Sequence, residues 1–136
     1  MDTQGFARAW SEGWSGAWRT HDADLVGSLY AEGATFRSQP FREPHEGGSG
    51  AADYASWAFE DEAAVRVWFS EPFVVGADRA AVEYWAISTE RGGLDVTIAG
   101  VALLRFGPDG RVVEQRDYWA TSDGGFEPYE GWARPG

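Results

Sequence analysis

Three short turn clusters set what this chain can become. Gly76-Ala77-Asp78, Arg91-Gly92-Gly93 and Gly107-Pro108-Asp109-Gly110 punctuate its second half. Each is too short to carry a helical crossover, so the strands on either side must run antiparallel. The segments between them, residues 65–76, 79–89, 95–106 and 112–120, alternate apolar and polar residues and are rich in β-branched and aromatic types. A four-strand meander is therefore predicted, with Pro72 marking a bulge or an edge position.

The first half has a different period. Phe6, Trp10, Trp14 and Trp18 recur every fourth residue, with Ala9 and Ala17 beside them, which places one aromatic stripe on one helical face. Asp2 or Thr3 caps its start. Gly13 and Gly16 each cost the helix roughly 1 kcal/mol relative to Ala, so close packing against another element is expected there. Asp22 opens a second helix whose buried face is Leu25, Val26, Leu29 and Tyr30. A short strand follows over residues 34–38, with Phe36 and Ser38 on one side. Residues 39–48 read as a loop, and Ser49 as the cap of a third helix carrying Tyr54, Trp57 and Ala58. Helices first and strands after make the chain α+β. Residues 1–120 are expected to form the domain. Residues 121–136 form a tail whose Phe126, Tyr129 and Trp132 are expected to pack on the domain or on a second subunit.

Charge and composition exclude several roles. Eleven Arg, no Lys and 22 acidic residues give a net charge of −11, which opposes binding to nucleic acid or to anionic membranes. With no Cys and two His, neither a thiolate nor a His-rich metal centre is expected. No basic segment followed by an apolar core opens the chain, and a cytoplasmic protein is the expectation. Eight Trp among 136 residues suit a cavity for a flat apolar ligand, and Trp14, Trp18, Tyr54, Trp57 and Trp119 are the candidate lining.

On the last strand Gln115, Asp117 and Trp119 share a face. A carboxyl facing an apolar cavity has its charged form disfavoured, which suits acid–base work. Tyr84 is the candidate partner, provided its strand turns that side chain inward; a one-residue slip would present Glu83 and Trp85 instead. Ser38 is a candidate hydrogen-bonding group, and His45, in the loop, a candidate that titrates near neutrality. His21 reads as structural.

Three runs carry a family resemblance. Leu29-Tyr30-Ala31-Glu32-Gly33-Ala34-Thr35-Phe36 resembles the exit from the second helix into the first strand of the nuclear-transport-factor-2-like superfamily. Glu43-Pro44 followed by Gly50 resembles its loop into the third helix. Gly110-Arg111-Val112-Val113-Glu114-Gln115-Arg116-Asp117-Tyr118-Trp119 resembles its final strand. The superfamily includes SnoaL-like cyclases, ketosteroid isomerases and limonene-epoxide hydrolases. The resemblance implies three N-terminal helices on a curved, mainly antiparallel sheet forming a cone with an apolar pocket, no cofactor, and a homodimer through the outer sheet face. It also implies a catalytic acid at Asp117, where limonene-epoxide hydrolases carry one in an Arg-Asp-Tyr-Phe run. The other residues of that hydrolase site are replaced by Tyr84 and Ala86. The ketosteroid isomerase set is replaced by Ser38, Trp14 and Ala102. The expected function is binding of a small apolar molecule, with Asp117 as general acid–base in a lyase, isomerase or hydrolase. The alternatives are a non-catalytic binding module and a structural dimer subunit whose cavity is filled by its own rings.

Overall fold

The computed structural model describes residues 2–133. Its elements run α1 (Thr3–Thr20), α2 (Ala23–Gly27), β1 (Tyr30–Arg37), β2 (His45–Glu46), α3 (Gly47–Phe59), β3 (Glu62–Phe69), β4 (Phe73–Val75), β5 (Arg79–Glu90), β6 (Asp95–Phe106) and β7 (Val112–Asp123). The seven strands form one curved, unclosed sheet in the order β2-β1-β7-β6-β5-β3, with β4 also pairing β5. β3, β5, β6 and β7 are the antiparallel meander that the turns dictate. β1 joins it by running parallel to β7. The three helices close one face of the sheet. The fold is thus α+β, and its shape is that of a cone.

Asp2 caps α1, its Oδ1 accepting from the Gly5 amide at 2.9 Å. The buried stripe of the helix is Thr3, Ala7, Trp10, Ser11, Trp14 and Ala17, with Phe6 and Trp18 half-buried at its borders and Ala9 exposed. Gly13 meets Leu29, whose Cδ2 would lie 2.8 Å from an added Cβ. α1 ends at His21, a non-glycine residue in the left-handed region at φ 56°.

The second helix is shorter than its apolar spacing predicts. It stops at Gly27, and Tyr30 begins β1 instead of completing a helical face. The cause is long-range pairing: the Val112 amide donates to the Leu29 carbonyl at 2.9 Å, and Tyr30 is registered against Val112. Ser49 does not cap α3. That helix begins at Gly47, behind the two-residue strand β2 in what reads as loop. Pro72 falls in a break between β3 and β4, so residues 65–76 are two strands rather than one bulged strand. A residue without an N–H cannot continue the ladder.

On β5, Ala80, Val82, Tyr84 and Ala86 are buried toward the helices. β6 adds Ala102, Leu104 and Phe106 to the same core. On the outer face Trp68 and Trp85 oppose one another across β3 and β5. The segment after β7 lies over that outer face. Trp85 Nε1 donates to the Phe126 carbonyl at 2.7 Å, and the Trp85 ring meets Tyr129 and Trp132 edge-on at 5.8 and 5.9 Å. Thr97 Oγ1 donates to the Gly124 carbonyl and accepts from the Phe126 amide. The tail's rings therefore do not fill the space inside the cone.

Candidate functional site

Helices and sheet enclose a cavity of about 360 Å3. Its inner end is made by buried Trp10, Trp14, Phe36, Tyr84 and Gln115, and its outer end by exposed Trp57, Ala58, Glu60, Asp61 and Thr121. The walls are mostly aromatic, as a site for an apolar ligand requires.

Asp117 stands at the inner end. Its backbone pairs with Ala102, which pairs in turn with Val82, so its strand neighbours on that face are small and apolar. Asp117 is half-buried, and its side chain lines the cavity. Gln115 Nε2 donates to Asp117 Oδ1 at 2.9 Å, and Tyr84 Oη donates to Oδ2 at 3.3 Å. Burial pushes the carboxyl up from the ordinary 3.8 to about 7, and these two donors moderate the rise.

The polar chain continues behind Gln115. Tyr30 Oη donates to Gln115 Oε1. Tyr30 itself accepts from Trp14 Nε1 at 3.0 Å and from Trp10 Nε1 at 3.4 Å. An indole N–H is only a donor, so the direction of the whole relay is determined. Two indoles occupy the acceptor side of the Tyr30 hydroxyl, its proton must go to Gln115, and the Gln115 amide must then offer its NH2 to Asp117. Burial also raises the phenols: Tyr54 to about 12, and Tyr30 and Tyr84 further, with the negative charge of Asp117 adding to each. At neutral pH all three phenols remain proton donors.

The residues expected from sequence divide into two groups. Asp117, Tyr84, Trp14, Trp18, Tyr54, Trp57 and Trp119 all line the cavity. The register turns Tyr84 inward, with Glu83 and Trp85 on the other face. Ser38 and His45 lie off the cavity wall. They sit beside Phe36 and Tyr54, with Ser38 Oγ 3.3 Å from His45 Nε2 and His45 against the Tyr54 ring at 4.9 Å. Ser38 is buried, and its carbonyl accepts from Trp119 Nε1 at 2.5 Å, which anchors the Trp119 ring. Burial and the neighbouring Arg42 hold His45 below its usual titration range.

Tyr30, Gln115 and Glu62 escape the sequence reading. Gln115 shares the face of Asp117, and that period was its available signal. Tyr30 is hidden by the helical spacing of its own segment. Glu62 is hidden by a register shift between Glu62 and Ala64 that breaks the alternation of β3. Among the described residues no group of three or more His, Asp or Glu side chains is placed to hold a metal ion. No helix among them is long and apolar enough to cross a membrane.

Known proteins share this architecture. RV0760c from Mycobacterium tuberculosis superposes with a TM-score of 0.74 at 20% identity, covering 91% of this chain and 100% of its own. SalBIII, described as an epoxide hydrolase/cyclase-like enzyme in pyran ring formation in the polyether salinomycin, gives 0.74 at 18% identity, covering 88% and 95%. The Δ5-3-ketosteroid isomerase of Mycobacterium sp. gives 0.68 at 17% identity, covering 85% and 96%. At these identities the likeness shows the fold. No curated protein matches the sequence. The sequence model of the SnoaL-like domain does match, over residues 7–115, which is most of the cone from α1 to the relay residue Gln115, and the chain belongs to the SnoaL-like domain family.

Proposed function

We propose that the chain binds a small, largely apolar molecule inside the cone and acts on it with Asp117 as general acid–base, as a cofactor-independent isomerase, lyase or hydrolase. One observation carries this reading: a carboxyl poised at about 7 stands at the inner end of an aromatic cavity, held by a relay with a single direction. A group that titrates near the working pH exchanges protons in both directions with least penalty. In its neutral form Asp117 donates to a ligand carbonyl or ether oxygen. In its charged form it accepts a proton from carbon or from a hydroxyl. Tyr84 holds one carboxyl oxygen, and Gln115 the other. Neighbours of this fold support the ligand class: RV0760c has been solved with estradiol-17beta-hemisuccinate, and SalBIII is linked to pyran ring formation.

A non-catalytic binding role is the second reading, and the residues beside Asp117 favour it. Ala86, Ala102 and Val82 supply no second carboxyl at the inner end. The two readings part in one experiment. Ketone- and epoxide-bearing terpenoid, steroid and polyketide compounds are screened by thermal shift, and each binder is then incubated and analysed for product by mass spectrometry. Catalysis predicts product from at least one binder and a loss of about 100-fold or more in turnover for Asp117→Asn, with binding retained. Binding without product from any compound supports the second reading, and full turnover by Asp117→Asn removes Asp117 from the mechanism.

A further inference from the structure

A second polar group lies on the cavity wall at the opposite end from Asp117. Glu62 is 6% exposed, opens β3 and lines the outer end of the cavity. Three residues, from α1, its C-terminal cap and β5, supply its hydrogen bonds. Trp18 Nε1, from α1, donates to Oε2 at 3.2 Å, and Ser88 Oγ, from β5, donates to the same oxygen at 2.5 Å. His21 Nε2, at the left-handed end of α1, lies 2.8 Å from Oε1 and stacks its ring on Phe59 at 4.9 Å. A carboxylate offers about four acceptor positions, and the protein fills three. One position remains on a side chain that faces a cavity.

We propose that Glu62 is a specificity-determining anchor that accepts a hydrogen bond from a hydroxyl or ammonium at the outer end of the ligand. This rests on the reading of the cavity as the ligand site and deepens it by assigning the ligand a second polar end. Distance decides against a shared chemical role with Asp117. Ser88, which holds Glu62, and Tyr84, which holds Asp117, are four residues apart on β5. At the strand rise the backbones of those two residues are about 13 Å apart. Carboxyls held from positions so far apart on one strand suit the two ends of one rigid molecule of two or three rings better than a single reacting bond. The ligand class is therefore an apolar body with a hydrogen-bonding oxygen at the inner end and a donor group at the outer end. Trp18 and Ser88 already hold one oxygen of Glu62, so its orientation is set before the ligand arrives and little order is lost on binding.

The test uses the full chain and three probes: a biphenyl with an acetyl group at one end only, the same compound with a hydroxyl at the far end, and that compound with the hydroxyl methylated. Affinities are read by calorimetry. The hydroxyl compound is expected to bind about tenfold more tightly than its methyl ether, the scale of one hydrogen bond to a charged group. Glu62→Gln, checked for folding by circular dichroism, should shrink that ratio to about twofold. Ser88→Ala keeps the Glu62 side chain but removes a group that orients it, so it should lower the ratio while leaving the hydroxyl compound favoured, even if Glu62→Gln does not fold. Asp117→Asn should retain the full ratio, because the preference belongs to the other end. Equal binding of hydroxyl and methyl ether by the wild-type protein overturns this inference alone. So does a ratio that survives Glu62→Gln or is unaffected by Ser88→Ala. Failure of all three probes to bind overturns it together with the reading of the cavity.

Discussion

At the scale of residues, the site is a problem of one proton. A carboxyl whose folded value is about 7 and whose ordinary value is 3.8 is better tolerated protonated than charged. The folded state then binds more protons than the unfolded state between those values, so stability falls as pH rises. The contribution is fully present below about pH 4 and lost by about pH 7, and a shift of this size is worth at most about 4 kcal/mol. Urea unfolding across that range should show this slope in the wild-type protein and a flatter one in Asp117→Asn, which should be the more stable of the two near pH 8. Equal slopes would mean that Asp117 titrates as an ordinary carboxyl. Gln115→Leu offers a separate check. It removes a donor that holds the value down and orphans the Tyr30 hydroxyl. The pH midpoint of the slope should move upward, and stability should fall by about 1–3 kcal/mol. Asp117 is legible from sequence through the face it shares with Gln115 and Trp119 and its match to the family's final strand. The inward turn of Tyr84 depends on a register that alternation alone leaves open between it and Glu83 with Trp85. Tyr30 and Glu62 are not legible, since each depends on where a strand begins, and that boundary is set by partners far away in the chain.

Elements show the same division. The turn clusters dictate the meander, and the aromatic period dictates α1, because both signals are local. The start of β1 is not local: β7 draws Leu29 and Tyr30 out of the helical pattern by pairing with them. The junction of α2 with α3 is equally hidden. The two helices approach so closely that a Cβ on Gly48 would lie 2.5 Å from the Gly27 carbonyl oxygen, with backbone on both sides. Gly48→Ala should therefore destabilise the protein by about 2 kcal/mol or more, despite the better helix propensity of Ala. Denaturant titration measures this, and a gain in stability would show that the helices can separate at small cost. This contact bears on function as well, because α3 carries Tyr54 and Trp57 to the cavity wall.

For the whole molecule, both faces of the sheet are occupied. The inner face holds the cavity, and the outer face is covered around Trp85 by the segment after β7. Removing residues 125–136 should expose the Trp85 indole, shift its emission to longer wavelength and cost about 1–3 kcal/mol. Ligand affinity in the cavity should not change, since none of the described tail residues lines it. Altered affinity would show that the two faces communicate through the sheet.

The position of β7 also governs how the chain can be made. β7 leaves the ribosome after the other six described strands, yet it lies inside the sheet, between β1 and β6. Until it emerges, β1 and β6 are two open edges with nothing between them, and Trp10, Trp14 and Tyr30 wait for Gln115. All of β1 to β6 is therefore made before either the sheet or the hydrogen-bond chain can close, and the nascent chain must tolerate unpaired edges until then. A chain halted before Val112 should fail to fold and should aggregate or be digested in limited proteolysis, whereas one extended through Asp123 should be protected.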